Sequence, residues 1–221
     1  MDKLSPPMED YLKTIYMLRE RNASVTTTAI ATVLTVTPAS VTGMIKKLAE
    51  LKLVRHTPYQ GVELTKAGEK IALEVVRHHR LLELFLSEAL GYSWDRVHAE
   101  ADALEHVISE EFEDRIAERL GNPSIDPHGD PIPAKDGTIT AVAEQALLQL
   151  VAGHSATITR VSDQDSNMLR YAAELGLRPT VRVTLIEAEP FGGSLRLKVG
   201  KVERSIGREL AARIFVTKEA A

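Results

Sequence analysis

Two stretches of the sequence carry histidines and acids at spacings suited to holding a cation. His79 and Glu83 are four residues apart, so on a helix they share one face and can bind one ion together. His98, Asp102, Glu105 and His106 follow at i, i+4, i+7 and i+8, which one continuous helix would place within about 100° of arc. Core packing gives no reason for such a stripe. It is either a solvated, salt-bridged face or a set of ligands buried around metal ions, and its presence on two successive helices favours the ligands. Asp10 offers a further ligand if the first helix packs back on the middle of the chain. Lys13, one turn later, is either a nearby cation or a surface side chain.

The elements that must position these groups are readable from periodicity. Met8, Tyr11, Leu12, Ile15, Tyr16 and Leu18 recur at helical spacing after Pro6 and Pro7. A second helix fits 27–34. A third follows to about residue 51, with Thr37 as N-cap, Pro38 at its first position and an apolar stripe of Val41, Ile45, Leu48 and Leu51. Residues 53–55 and 62–65 read as two short strands around a turn at 58–61. A long helix is expected from Thr65 to about Leu90, closed by Gly91. Another runs from about Ser93 to 105–110, and one more over 109–120 before Gly121. Residues 122–138 carry four prolines and read as a linker. Beyond it, β-branched segments at 139–150, 156–161, 180–187, 194–199 and 202–206, with one helix over 165–175, suggest a small β-rich domain.

With 221 residues, 26% charged and 44% hydrophobic, the chain has an ordinary globular composition. The net charge of −4 is uneven. Residues 1–72 hold ten Lys/Arg against seven Asp/Glu, residues 73–140 six against fifteen, and residues 141–221 eleven against nine. Five of the seven histidines lie in the acidic middle segment. These shifts set the expected domains at 1–72, 73–140 and 141–221. The absence of cysteine excludes disulfides, thiol nucleophiles and Cys-ligated metal. No export signal or membrane-length apolar run is evident, so a cytoplasmic protein without a membrane partner is expected.

Two short helices, a tight turn, a third helix and a two-stranded wing make a winged helix-turn-helix, whose last helix lies in the major groove of DNA. Thr37, Pro38, Ala39, Ser40, Thr42 and Gly43 at its start are small or hydroxylic and permit close approach to base edges and phosphates. Lys46 and Lys47, with Arg55, His56 and Lys66, are placed to meet the backbone. The competing use of such a fold is protein contact.

Taken together, the winged-helix segment, RHHRLLELFL (77–86), VHAEADALEHVISEE (97–111) and DPHGDPIP (126–133) resemble the diphtheria-toxin-repressor and manganese-transport-regulator family, which are metal-activated transcriptional repressors. The resemblance spans nearly the whole chain. It implies a mainly α fold with a small β part: a winged helix-turn-helix, a helical dimerisation and metal-binding domain, and an SH3-like, FeoA-like module. It also implies a primary metal site at Asp10, Asp102, Glu105 and His106 and an ancillary site at His79, Glu83 and His98. Asp126 and His128 from the linker are further candidate ligands, as is Asp163 in the third domain, with Gln164 and Asp165 as register alternatives.

The chain departs from the family at three positions. Asp10 and Asp102 stand where iron-type members have Met and Cys, and Lys13 stands where two-metal manganese-type members have a glutamate. The oxygen-rich set favours Mn2+, with Fe2+ as the other candidate. The expected protein is a homodimer on a palindromic double-stranded operator, regulating genes of metal homeostasis. Leu81, Leu82, Leu84, Phe85, Leu86 and Leu104 are expected at its dimer interface. It carries no HExxH, G-x-S-x-G or P-loop motif, so enzymatic activity is not expected. The alternatives are a metal-dependent hydrolase and a winged-helix regulator that needs no metal.

Overall fold

The computed structural model describes residues 4–20, 25–57, 61–162 and 165–217. Among these described residues the fold is mainly α, with 46% helix and 20% strand. The chain divides into two compact units. One comprises residues up to His79 with 104–109 and 133–138, and the other Arg80–Ala103, Glu110–Ile132 and Ile139 onward.

The first unit holds α1 (Pro6–Glu20), α2 (Thr27–Leu34), α3 (Pro38–Glu50), β1 (Val54–Thr57), β2 (Gly61–Leu64) and the first half of α4 (Lys66–Leu90). Its core forms where the apolar stripes meet: Leu12, Ile15 and Tyr16 of α1, Ile30 of α2, Val41, Ile45 and Leu48 of α3, and Val62 of β2 are all buried. Thr26 caps α2 by accepting from Ala29 N, and Thr37 caps α3 by accepting from Ser40 N. Between them Thr35 takes a left-handed conformation, φ 54°, that ends α2. β1 and β2 pair antiparallel, Val54 opposite Leu64; of the turn expected to join them, residues 58–60 lie outside the described residues. Thr65 starts α4 by accepting from Gly68 N at 3.2 Å while donating to Lys52 O. Gly68 is needed here, since a Cβ would stand 2.0 Å from the Leu53 carbonyl oxygen.

The second unit is built on a six-stranded antiparallel sheet of order β3-β8-β4-β5-β6-β7. Its strands are β3 (Glu144–Ala146), β4 (Ser155–Val161), β5 (Arg182–Ala188), β6 (Leu195–Val199), β7 (Val202–Ile206) and β8 (Ile214–Thr217); helices α5 (Val97–Leu104), α6 (Glu110–Arg119), α7 (Ser166–Glu174) and α8 (Arg208–Ala211) complete the fold. Leu147, Ile158, Leu169, Leu177, Leu185, Leu195 and Ile214 form the core, and Trp94 joins them. Val161 N donates to His128 O at 2.9 Å, so the 126–130 loop continues along β4. Gly129 allows this approach, since a Cβ would lie 2.0 Å from Thr159 O.

Three expectations need correction. β8 was not expected, yet it lies between β3 and β4; four residues after a short helix carry too little alternation to be read alone. The helix expected from Ser93 begins at Val97, because Arg96 N is drawn into a turn on Ser93 O, and it ends at Leu104. Leu81, Leu82, Leu84 and Leu86 are buried within the single chain, so they serve its own core rather than a dimer contact. Of the remaining candidates, Leu104 is exposed, and Phe85 packs edge-on against the exposed ring of Phe112.

Candidate metal centre and DNA-reading surface

In the first unit, α1 turns its apolar side inward and brings Glu9, Asp10 and Lys13 against residues 105 and 106. The stripe expected from His98 to His106 is broken before Glu105, because α5 stops at Leu104. The Glu105 carbonyl instead accepts a hydrogen bond from Nδ1 of buried His78, at 3.0 Å. Glu105 and His106 therefore sit on the turn after the helix.

His106 is held from both sides. Its Nδ1 lies 2.6 Å from Glu9 Oε2 and its Nε2 2.8 Å from Asp10 Oδ1. Glu105, nearly inaccessible, sits between three nitrogens. Lys13 Nζ donates to Oε2 at 2.7 Å and to Oε1 at 3.0 Å, and His79 Nδ1 is 2.6 Å from Oε2. Oε1 lies 3.4 Å from His106 Nε2. One ligand atom each from Asp10, Glu105 and His106 fall within 4.8 Å of one another. Two carboxylate oxygens and an imidazole nitrogen fit a hard-to-borderline divalent cation such as Mn2+ or Fe2+.

The two carboxylates differ in electrostatics. Burial raises the Asp10 carboxyl above its ordinary range, against the opposing bond from His106. Burial acts the same way on Glu105, but the bond from His79 and the charge of Lys13 outweigh it and hold that carboxyl below its ordinary range. Glu105 is thus a ready anion, while Asp10 gains most from a cation.

A second cluster lies in the other unit. Glu83 reaches His98 Nδ1 with Oε1 at 3.1 Å and approaches His128 Nδ1 with Oε2 at 3.6 Å. Glu83, Asp126 and His128 are all buried, with ligand atoms within 4.8 Å of one another. His128 Nε2 donates to the Trp94 carbonyl at 2.9 Å. Burial works against the charged imidazole, yet the bond to Glu83 and the charges of Glu83 and Asp126 prevail and raise His128 to about 9. Burial, helped by Asp130 and Glu83, pushes the Asp126 carboxyl up.

The expected ligands are thus distributed as follows. Asp10, Glu105 and His106 come together, and His79 is tied to Glu105. Glu83, His98, Asp126 and His128 gather in the second unit. Asp102 is half exposed and pairs with His98 Nε2 at 3.4 Å, one turn earlier on α5. Asp163 and Gln164 lie outside the described residues; Asp165 is the N-cap of α7, accepting from Asn167 N. Glu9 and His78 were not anticipated. The available signals were the acidic pair at 9–10 and the histidine doublet at 78–79, whose neighbours point about 100° apart on a helix.

On α3, Thr37, Pro38, Ala39, Ser40, Thr42, Gly43, Lys46 and Lys47 are all exposed. The hydroxyls of Thr37 and Ser40 lie 2.9 Å apart, and Thr42 donates to Pro38 O. Nothing lies within 4 Å of a Cβ placed on Gly43, so this face is open to a partner.

The iron-dependent repressor IdeR of Mycobacterium tuberculosis is 31% identical over 230 residues, covering 99% of this chain and 100% of that protein. The chain belongs to the iron-dependent repressor family of metal-dependent transcriptional repressors. Its parts match the family models for the iron dependent repressor N-terminal DNA binding domain (3–62), the iron dependent repressor metal binding and dimerisation domain (65–134) and the FeoA domain (145–218). The HTH-type transcriptional regulator MntR of Bacillus subtilis is 37% identical over 114 residues, covering 52% of this chain and 80% of that protein. Among solved structures, a manganese-dependent transcriptional repressor in complex with manganese superposes with TM-score 0.91 at 38% identity, covering 96% of this chain and all of that one. The cadmium-bound repressor ScaR reaches 0.83 at 32% identity, covering 96% of this chain and 99% of that one. Both iron and manganese repressors stand among the relatives, so family membership supports metal use without choosing the ion. No single described helix is long and apolar enough to cross a membrane.

Proposed function

We propose that this protein is a Mn2+-activated homodimeric repressor of metal-homeostasis genes in the cytoplasm, with Fe2+ as a second activating ion and a palindromic operator as its target. Its working divisions are a DNA-reading part at 1–72, a metal-binding and dimerisation part at 73–140 and a FeoA-like part at 141–221. The primary ligands are Asp10, Asp102, Glu105 and His106. A second site draws on His79, Glu83, His98, Asp126, His128 and Asp163.

The observation that carries this reading is that α1 holds Asp10 against His106 while packing against α2, α3 and β2 of the reading head. A bound divalent cation supplies the positive charge that lets Asp10 and Glu105 stay close. Glu9 steadies the imidazole of His106 from its far nitrogen, and His78 fixes the main chain of Glu105. Asp10 transmits its position through α1 to α3, whose small exposed N-terminal residues meet the bases. Activation reflects only the difference in metal affinity between the DNA-competent state and the others, so operator binding tightens metal binding by the same factor.

The test is operator binding by fluorescence titration in chelator and in Mn2+, Fe2+ under anaerobic conditions, and Zn2+. Mn2+ is expected to raise affinity by about tenfold or more, with binding that weakens steeply with salt. Equal affinity in chelator and in excess metal would refute activation.

A further inference from the structure

Lysine is seldom buried unless it is paired, because its ammonium is costly to remove from water. Lys13 is 8% exposed and Glu105, its partner, 2%. The ammonium approaches both carboxylate oxygens, at 2.7 and 3.0 Å, and stands 3.1 Å from His79 Nδ1. α1 is therefore fastened to the 105–106 turn at two points of opposite polarity. At one, carboxylates of Glu9 and Asp10 on α1 face the imidazole of His106. At the other, a cation on α1 faces the carboxylate of Glu105.

We propose that Lys13 is a resident cation of the metal cluster: it holds Glu105 turned toward α1 without metal, and competes with the incoming ion for that carboxylate. This rests on the metal-activation reading above. The two oxygens of Glu105 are unequally committed. Oε2 is shared by Lys13 and His79, whereas Oε1 is also the oxygen nearest His106 Nε2, at 3.4 Å. Oε1 carries the longer of the two ammonium bonds, so a metal ion would meet Glu105 there in competition with Lys13. The ammonium beside it opposes a second positive charge through a poorly screened interior. Lys13 is a positioning residue that sets the concentration of divalent ion at which the cluster loads. It raises that threshold and in return preserves the geometry of the empty cluster.

The experiment measures Mn2+ binding to the full chain by equilibrium dialysis after chelator treatment, alongside thermal melting with and without Mn2+. Lys13→Met keeps the stem and removes the charge. It is expected to bind Mn2+ tighter by about tenfold, to melt lower than wild type in chelator, and to gain more from added Mn2+. Lys13→Arg keeps the charge and is expected to bind close to wild type. If Lys13→Met fails to fold, Lys13→Gln is read by the same criteria. Wild type that binds Mn2+ while Lys13→Met or Lys13→Gln binds it equally or more weakly overturns the inference alone. Wild type that takes up no Mn2+ overturns the proposed function as well.

Discussion

His78 donates from Nδ1 to the main-chain carbonyl of Glu105, 3.0 Å away. This bond accompanies the end of α5 at Leu104 and places Glu105 and His106 on a turn facing α1. One imidazole shapes the cluster without itself touching the proposed ion.

Removing it has two consequences. His78→Ala leaves a buried carbonyl without this partner, which is expected to cost about 1–3 kcal/mol of stability in chemical denaturation. Mn2+ binding should weaken too, because Glu105 loses its anchor. A variant that is less stable but binds Mn2+ like wild type would contradict the positioning role.

Glu9 holds His106 from Nδ1, while Nε2 faces Asp10 Oδ1 at 2.8 Å. Partners of this kind typically contribute about 10–100-fold to metal affinity. Glu9→Gln is accordingly expected to weaken Mn2+ binding within that range, measured by dialysis, with little change in operator affinity once the site is saturated.

His106→Ala deletes a proposed ligand and leaves Glu9 and Asp10 facing each other without the imidazole. It should abolish most of the Mn2+ response in operator binding. His79→Ala removes one of the groups on Glu105 Oε2 but leaves Lys13 there, so it should reduce the response less. Equal losses in the two variants would break this ranking.

The second cluster predicts a pH dependence in chelator. His128 rises to about 9 in the folded chain, above its usual 6.5, and burial raises Asp126 as well. Folding therefore favours the protonated forms. The stabilisation from His128 is full below about 6.5 and is lost as pH climbs through about 9. Melting temperature in chelator should fall over that window, and His128→Gln should flatten the fall. A wild-type melting temperature that rises from pH 6.5 to 9, or a variant that follows wild type, would show that His128 does not carry the effect.

Metal choice follows from the oxygen donors. Mn2+ is expected to activate operator binding well and Zn2+ poorly for its occupancy, since Zn2+ readily settles for four ligands. Asp102→Cys should shift the response toward softer ions. Operator binding at matched occupancy decides it: Zn2+ matching Mn2+ in the parent chain, or an unchanged ranking in the variant, counts against the oxygen-donor argument.

What the sequence determined by itself is local. Thr37 followed by Pro38 starts α3, Gly91 follows the end of α4, and apolar periodicity marks α1 to α4, because caps and helical stripes act within a turn or two of the chain. The family resemblance likewise rests on contiguous runs. The tertiary structure alone decided that α5 stops before Glu105, that Glu9 joins Asp10 on His106, that Lys13 is buried on Glu105, and that His128 approaches the Glu83 carboxylate already expected beside His98. Glu9 and His106 are 97 residues apart and Lys13 and Glu105 92. No periodicity encodes such pairings; they arise when α1, α4 and the 105–106 turn pack together, and burial then obliges each charged group to find a partner.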